Sequence, residues 1–144
     1  MRTFLALLLA LAPSALARPH AGQTSVVVVM KMADCPVCIT QLRALDRAEL
    51  GAPLMGITHS PEAAAARASN AAGVSVYSHA AGIRSMGLWL DDQGIAQPAV
   101  VVYDRCGAEA GRVVGRAPGL DVTDAVRELV KQADAVEGCG KPVS

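Results

Sequence analysis

Apolar residues fill almost every position from Ser25 to Met32, and Lys31 is the one charge in the run. Such a valine-rich stretch reads as a strand buried on both faces of a sheet. From Pro36 to Leu50 the period changes. Cys38, Leu42 and Leu45 recur at helical spacing, while Arg43, Asp46, Arg47 and Glu49 fall on the solvent side. Leu54 to Thr58 is a second strand. Ser60-Pro61-Glu62 then opens an alanine-rich helix, with Ser60 as N-cap, Pro61 at the first helical position and an early carboxylate, and Gly73 ends it.

The second half is less regular. Val74 to Tyr77 allows a short extended piece, and Ala80 to Leu90 reads either as a broken helix or as a loop, because Gly82 and Gly87 interrupt it. Ala99 to Tyr103 is another β-rich run, Asp104 to Gly107 holds turn residues, and Arg112 to Val114 continues as a strand, so this part reads as a hairpin. Asp121 caps a final helix whose buried face is Val122, Val126, Leu129, Val130 and Ala133. Parallel strands joined by crossovers, then a hairpin and a covering helix, make the fold class mixed α/β. Met30 and Met32 alternate with valines and are expected in the core, Trp89 is expected in the core or a groove, and Asp91 and Asp92 read as a solvated loop.

The N-terminus changes the setting of this domain. Met1-Arg2, an apolar run from Phe4 to Leu16 and the small-x-small triplet Ala15-Leu16-Ala17 have the pattern of a cleaved secretory signal over residues 1–17. That run is too short to span a bilayer unaided, and no later stretch reaches the roughly 20 apolar residues a membrane helix needs. An uncleaved anchor stays open. The protein is therefore expected to be exported, periplasmic or secreted, without a stable membrane span after cleavage. One domain over 25–137 and a tail over 138–144 follow. With 13 acidic and 13 basic residues and no basic stripe among the few aromatics, nucleic acid is not an expected partner. Four cysteines in an exported chain suit an oxidising compartment.

Cys35-Pro36-Val37-Cys38 lies between a strand and a helix. Pro36 suits the first helical position, which makes Cys35 the N-cap, where unsatisfied N–H groups and the helix dipole favour thiolate over thiol. Thiolate is the reactive form. Cys38 returns to the same face one turn inside, shielded, and is placed to resolve a mixed disulfide formed at Cys35. Redox exchange is the leading reading. A zinc half-site would need a second ligand pair, and neither Cys106 nor Cys139 has a His beside it. A purely structural Cys35–Cys38 disulfide would close so short a loop that it constrains the unfolded chain little.

Residues 26–38, the valine strand running into Cys35-Pro36-Val37-Cys38 and a helix, resemble the active-site strand and helix of the thioredoxin superfamily. The likeness is to exported thiol–disulfide oxidoreductases and peroxiredoxin-like redoxins in particular. Gln97-Pro98 followed by Ala99 to Asp104, with Gly107 and Gly115 beyond, is similar to the family's cis-proline strand and hairpin. The resemblance implies a thioredoxin-like fold with a mixed four-stranded central sheet flanked by helices. It implies a cis Pro98 against the Cys35 sulfur and a Gln97 backbone free to bind an extended substrate. Protein thiols or disulfides and an upstream electron donor or acceptor are the expected partners, no cofactor is expected, and the chain is expected to be a monomer. If Pro98 lies by Cys35, topology carries Cys106 and Cys139 to the opposite end as a structural disulfide. Two free thiols are the alternative.

The sequence departs from the family around the site. Asp34 stands where an aromatic residue is common, and its charge should oppose thiolate at Cys35 unless Lys31 offsets it. The buried carboxylate of thioredoxins would fall near Val26 and is absent, and Gln41 stands where some exported relatives have Glu. Proton transfer at Cys38 is left to water. A thiol peroxidase is the second reading. Peroxiredoxins, however, place Thr or Ser where Met32 stands, and tend to have Arg where Pro98 stands. Copper(I) held by the thiolate pair with His59 or His79 is a third.

Overall fold

The structure, a computed structural model, describes residues 22–88, 96–114 and 121–139. The expected signal segment, Trp89, Asp91, Asp92 and Gly115 lie outside the described residues. The elements run in the order β1 (Ser25–Val29), α1 (Pro36–Arg47), β2 (Leu54–Thr58), α2 (Glu62–Ala72), β3 (Val76–Ser78), α3 (Ala80–Ser85), β4 (Ala99–Tyr103), β5 (Glu109–Val114) and α4 (Thr123–Asp134).

The strands form one mixed sheet in the order β3-β2-β1-β4-β5. β1, β2 and β3 are parallel, while β4 is antiparallel to both β1 and β5. Among the described residues the sheet therefore has five strands instead of the four expected, because Val76 to Ser78 pairs with Gly56 to Thr58. β1 is buried at all five positions, as its valine run required. Its alternate residues feed two cores. Val26, Val28 and Met30 pack with Leu42, Leu45, Ala65, Ala68, Val126 and Val130 from α1, α2 and α4. Val27 and Val29 pack with Met55, Ile57, Ile83 and Ala99 on the other side. Strand pairing ends at Val29, so the alternation does not carry on to Met32. Met30 is fully buried, whereas Met32 is 36 % exposed, against the expectation that it packs the core.

Two helix starts differ from the expected caps. Pro61, not Ser60, occupies the N-cap of α2, and it makes no side-chain cap bond among the described residues. At α4 the N-cap is Val122, and Asp121 acts from one residue further out, its carboxylate accepting the Thr123 N–H at 2.8 Å. The ambiguous segment after β3 is a short helix, with His79 Nδ1 accepting the Gly82 N–H at 3.0 Å. α2 does end at Gly73, whose φ of 69° is the left-handed conformation that glycine adopts without penalty.

Bonds from Thr123, side chain first and then backbone N–H, hold the Asp121 carboxyl below its usual range. A depressed folded-state value means that the cap supports α4 above the unfolded carboxylate range and is lost as pH falls through the lowered value. The Thr123 amide resonance should therefore titrate with a midpoint below that of an unfolded-chain aspartate. In Asp121→Asn this acid transition should disappear, and its survival would assign it to another group.

Candidate active site

Chain direction sets the site. β1 runs into the Lys31–Asp34 loop and α1, so Cys35 stands at the C-terminal end of the parallel strands. Pairing of Val29 with Ala99 places the start of β4, directly after Pro98, at that same end. Pairing of Ser25 with Tyr103 puts the β4–β5 turn at the other.

Cys35 is the N-cap of α1, with extended backbone and Pro36 beginning the helix. The Cys38 N–H donates to Cys35 Sγ at 3.2 Å, so one of the orphan donors of the first turn is aimed at the sulfur. No acidic residue occupies that first turn. Cys35 and Cys38 are disulfide-bonded, with Cα atoms 5.2 Å apart. Cys38 is 8 % exposed and belongs to the core, whereas Cys35 is half-buried and packs against it. Next to them in the chain Pro36 is exposed, Val37 is 40 % exposed and Met32 is exposed as well. Lys31 and Asp34 are both exposed, and neither enters an ion pair among the described residues.

The second motif differs from its expected form. The Gln97–Pro98 bond is trans, not cis. Trans is the form favoured by about 0.5–1 kcal/mol for X–Pro bonds. Pro98 precedes the first residue of β4, so the β4 ladder asks no N–H of it. Pro98 is brought together with Gln41: the two share a shallow depression with Ala99, Val100, Val113 and Val122, and among these described residues Gln41 is the one whose side chain can hydrogen-bond. Gln97 is half-buried beside it. Val26 is fully buried among apolar residues, so the strand offers no carboxylate at that position.

His59 and His79 do not join the cysteines as a metal-holding group; among the described residues no three His, Cys, Asp or Glu side chains cluster in that way. His79 is used as the α3 cap. His59 Nδ1 is buried and has no hydrogen-bond partner among the described residues.

At the opposite end Cys106 and Cys139 form a second disulfide, with Cα atoms 5.2 Å apart. The Asp104 carboxylate fixes the turn that holds Cys106, accepting the N–H groups of Cys106 at 2.8 Å and Ala108 at 3.0 Å. The Thr24 hydroxyl donates to Asp134 at 2.6 Å, and the Gly22 N–H donates to the Arg105 carbonyl at 3.0 Å. The segment leading into β1, the hairpin turn and the end of α4 are thus cinched together away from Cys35.

No protein-family model matches the chain, and no curated protein does. Solved structures do. Peroxiredoxin Q from Xanthomonas campestris is similar, with a TM-score of 0.64, 17 % identity and coverage of 79 % of this chain and 81 % of that one. A peroxiredoxin-like protein from Aquifex aeolicus gives a TM-score of 0.61, 20 % identity and coverage of 78 % and 72 %. A secreted Mycobacterium tuberculosis disulfide oxidoreductase homologous to E. coli DsbE gives 0.56, 16 % identity and coverage of 78 % and 83 %. At these identities the likeness is one of architecture, and with the five-stranded mixed sheet and its flanking helices it establishes that the chain has the thioredoxin-like fold of these redox proteins.

Proposed function

We propose that this chain is an exported thiol–disulfide oxidoreductase acting on protein substrates, with Cys35 as nucleophile and Cys38 as resolving thiol. The observation that carries this reading is the placing of Cys35 Sγ at the N-cap of α1, bonded to the Cys38 N–H while Cys38 itself is shielded. In the reduced protein that N–H and the positive helix end favour the Cys35 thiolate. The thiolate attacks one sulfur of a substrate disulfide; a Cys35–substrate disulfide forms, and the other substrate sulfur leaves as thiolate. Cys38 then attacks Cys35 Sγ, releases the second substrate sulfur and closes the Cys35–Cys38 disulfide. The substrate gains two electrons and the protein loses two. An upstream dithiol restores the pair, and run in reverse the same steps make a disulfide donor. The two sulfurs hold the electrons, so the chemistry asks for no further cofactor.

Exposed Met32, Pro36 and Val37 offer apolar surface to a protein substrate, and Pro98 with Gln97 and Gln41 offers a neighbouring edge. The signal pattern at residues 1–17 supports export.

A thiol peroxidase is the second reading, favoured by the higher TM-scores of the peroxiredoxins. Against it stand Met32 and Pro98, which supply neither a hydroxyl nor a cation for a peroxide oxygen. The two readings separate in one pair of assays. The reduced protein should accelerate insulin reduction by dithiothreitol, and its consumption of hydrogen peroxide should match that of a free thiol. Fast peroxide consumption without an effect on insulin would reverse the assignment.

A further inference from the structure

Ser60 has the sequence setting of a helix cap and does not act as one. Pro61 stands at the N-cap of α2, and the Ser60 hydroxyl turns instead to the loop that carries Cys35, where it accepts the Ala33 N–H at 3.2 Å. Ala33 is 2 % exposed, so water cannot replace that acceptor freely.

The Ser60 backbone is itself held from two strands. The Ser60 N–H donates at 3.2 Å to the hydroxyl of Thr58, which is fully buried at the end of β2. The Ser78 hydroxyl, at the end of β3, donates to the Ser60 carbonyl at 2.5 Å. The His79 N–H donates to the Thr58 carbonyl at 2.8 Å. On the other side of Ala33 the Cys35 N–H donates to the Met32 carbonyl at 3.2 Å, closing the turn Met32–Cys35 around it. Hydrogen bonds therefore run from the β3 edge of the sheet, through Ser60 and Ala33, to the residue that carries the nucleophilic sulfur.

We propose that Ser60 is a positioning residue for the redox pair: through the Ala33 N–H it holds the Met32–Cys35 turn where Cys35 Sγ faces Cys38. This rests on the reading of Cys35 and Cys38 as an exchanging pair. Closing their disulfide is an intramolecular step, so its equilibrium follows the fraction of time the two thiols spend in bonding geometry. A looser turn lowers that fraction and favours the dithiol. Coupling of this kind is reciprocal: if the Ser60–Ala33 bond favours the disulfide, opening the disulfide must weaken the bond by the same factor.

The test is the equilibrium of the pair with glutathione, in which the protein disulfide and two glutathione thiols exchange with the protein dithiol and one glutathione disulfide. Ser60→Ala should shift it toward the dithiol by about fivefold or more, and Ser60→Thr, which keeps the hydroxyl, should stay within about twofold of the parent. Ser60→Ala with an unchanged equilibrium, even with lowered thermal stability, would make the role structural only and overturn the proposal. The wild-type protein gives a second reading should that variant fail to fold. Hydrogen exchange at the Ala33 amide should speed up about fivefold on reduction of Cys35–Cys38, and equal exchange in the two redox states would contradict the coupling. A wild-type pair that never equilibrates with glutathione sinks the functional reading instead, and Ala33 exchange in the chemically reduced protein still decides the role of Ser60.

Discussion

Cys35→Ser is expected to bring insulin reduction down to the uncatalysed rate, whereas Cys38→Ser should stall the protein as a Cys35–substrate mixed disulfide. The asymmetry follows from position. Cys35 is half-buried at the cap of α1, with an N–H aimed at its sulfur, and Cys38 sits in the core one turn later. A serine hydroxyl at position 35 would be protonated and inert, so no first step remains. Loss of Cys38 leaves the first step intact and removes the second. Well-oriented intramolecular attack reaches effective molarities on the order of 10⁵ M, so millimolar external thiol is a poor substitute and the adduct should accumulate. Mass mapping of protein mixed with a disulfide peptide checks this directly. Full activity in Cys35→Ser, or an adduct on Cys38, would reverse the roles assigned.

The double variant Cys106→Ser/Cys139→Ser should lose about 4 kcal/mol of stability while keeping its exchange chemistry. The disulfide spans a sequence separation of 33, and closing a loop of that size removes roughly that much conformational freedom from the unfolded chain. Typical domains have about 5–15 kcal/mol in hand, so the variant should remain folded at room temperature but melt on the order of 10–20 °C lower. Activity should persist because the bridge closes the end of the sheet where Ser25 pairs with Tyr103, opposite Cys35. Urea unfolding of the two proteins measures the difference. A loss below about 1 kcal/mol would mean that the Asp104 turn and the Thr24–Asp134 bond hold that end without help.

Strong local patterns carried most of the fold. The valine run of β1, and the runs Leu54–Thr58 and Ala99–Tyr103, appear as strands because burial on both faces leaves few alternatives for such segments. β3 was harder to read, since three residues at a sheet edge carry almost no period, and its pairing with β2 depends on tertiary placement. The cap position of Cys35 was legible because Pro36 marks the first helical turn. The same logic misled at Ser60, where a proline next in sequence took the cap position itself and freed the hydroxyl for a partner 27 residues away. Met32 left the core because strand pairing stops at Val29. Pro98 precedes Ala99, which pairs with the end of β1, yet its bond is trans, since a motif's spacing does not determine the isomer of its proline. The meeting of Gln41 with Pro98 was invisible in one dimension, because α1 and the start of β4 are brought together only by the sheet.

The central claim is that Cys35 and Cys38 exchange between disulfide and dithiol in the folded protein, and the most direct measurement is redox titration with alkylation and peptide mapping. The protein is equilibrated in glutathione buffers, quenched in acid, and mapped for both cysteine pairs. Cys35–Cys38 should open and close reversibly within the range of about −120 to −270 mV spanned by thioredoxin-like pairs, while Cys106–Cys139 stays closed. A Cys35–Cys38 bridge that opens only when the protein unfolds, together with Cys106–Cys139, would contradict the account.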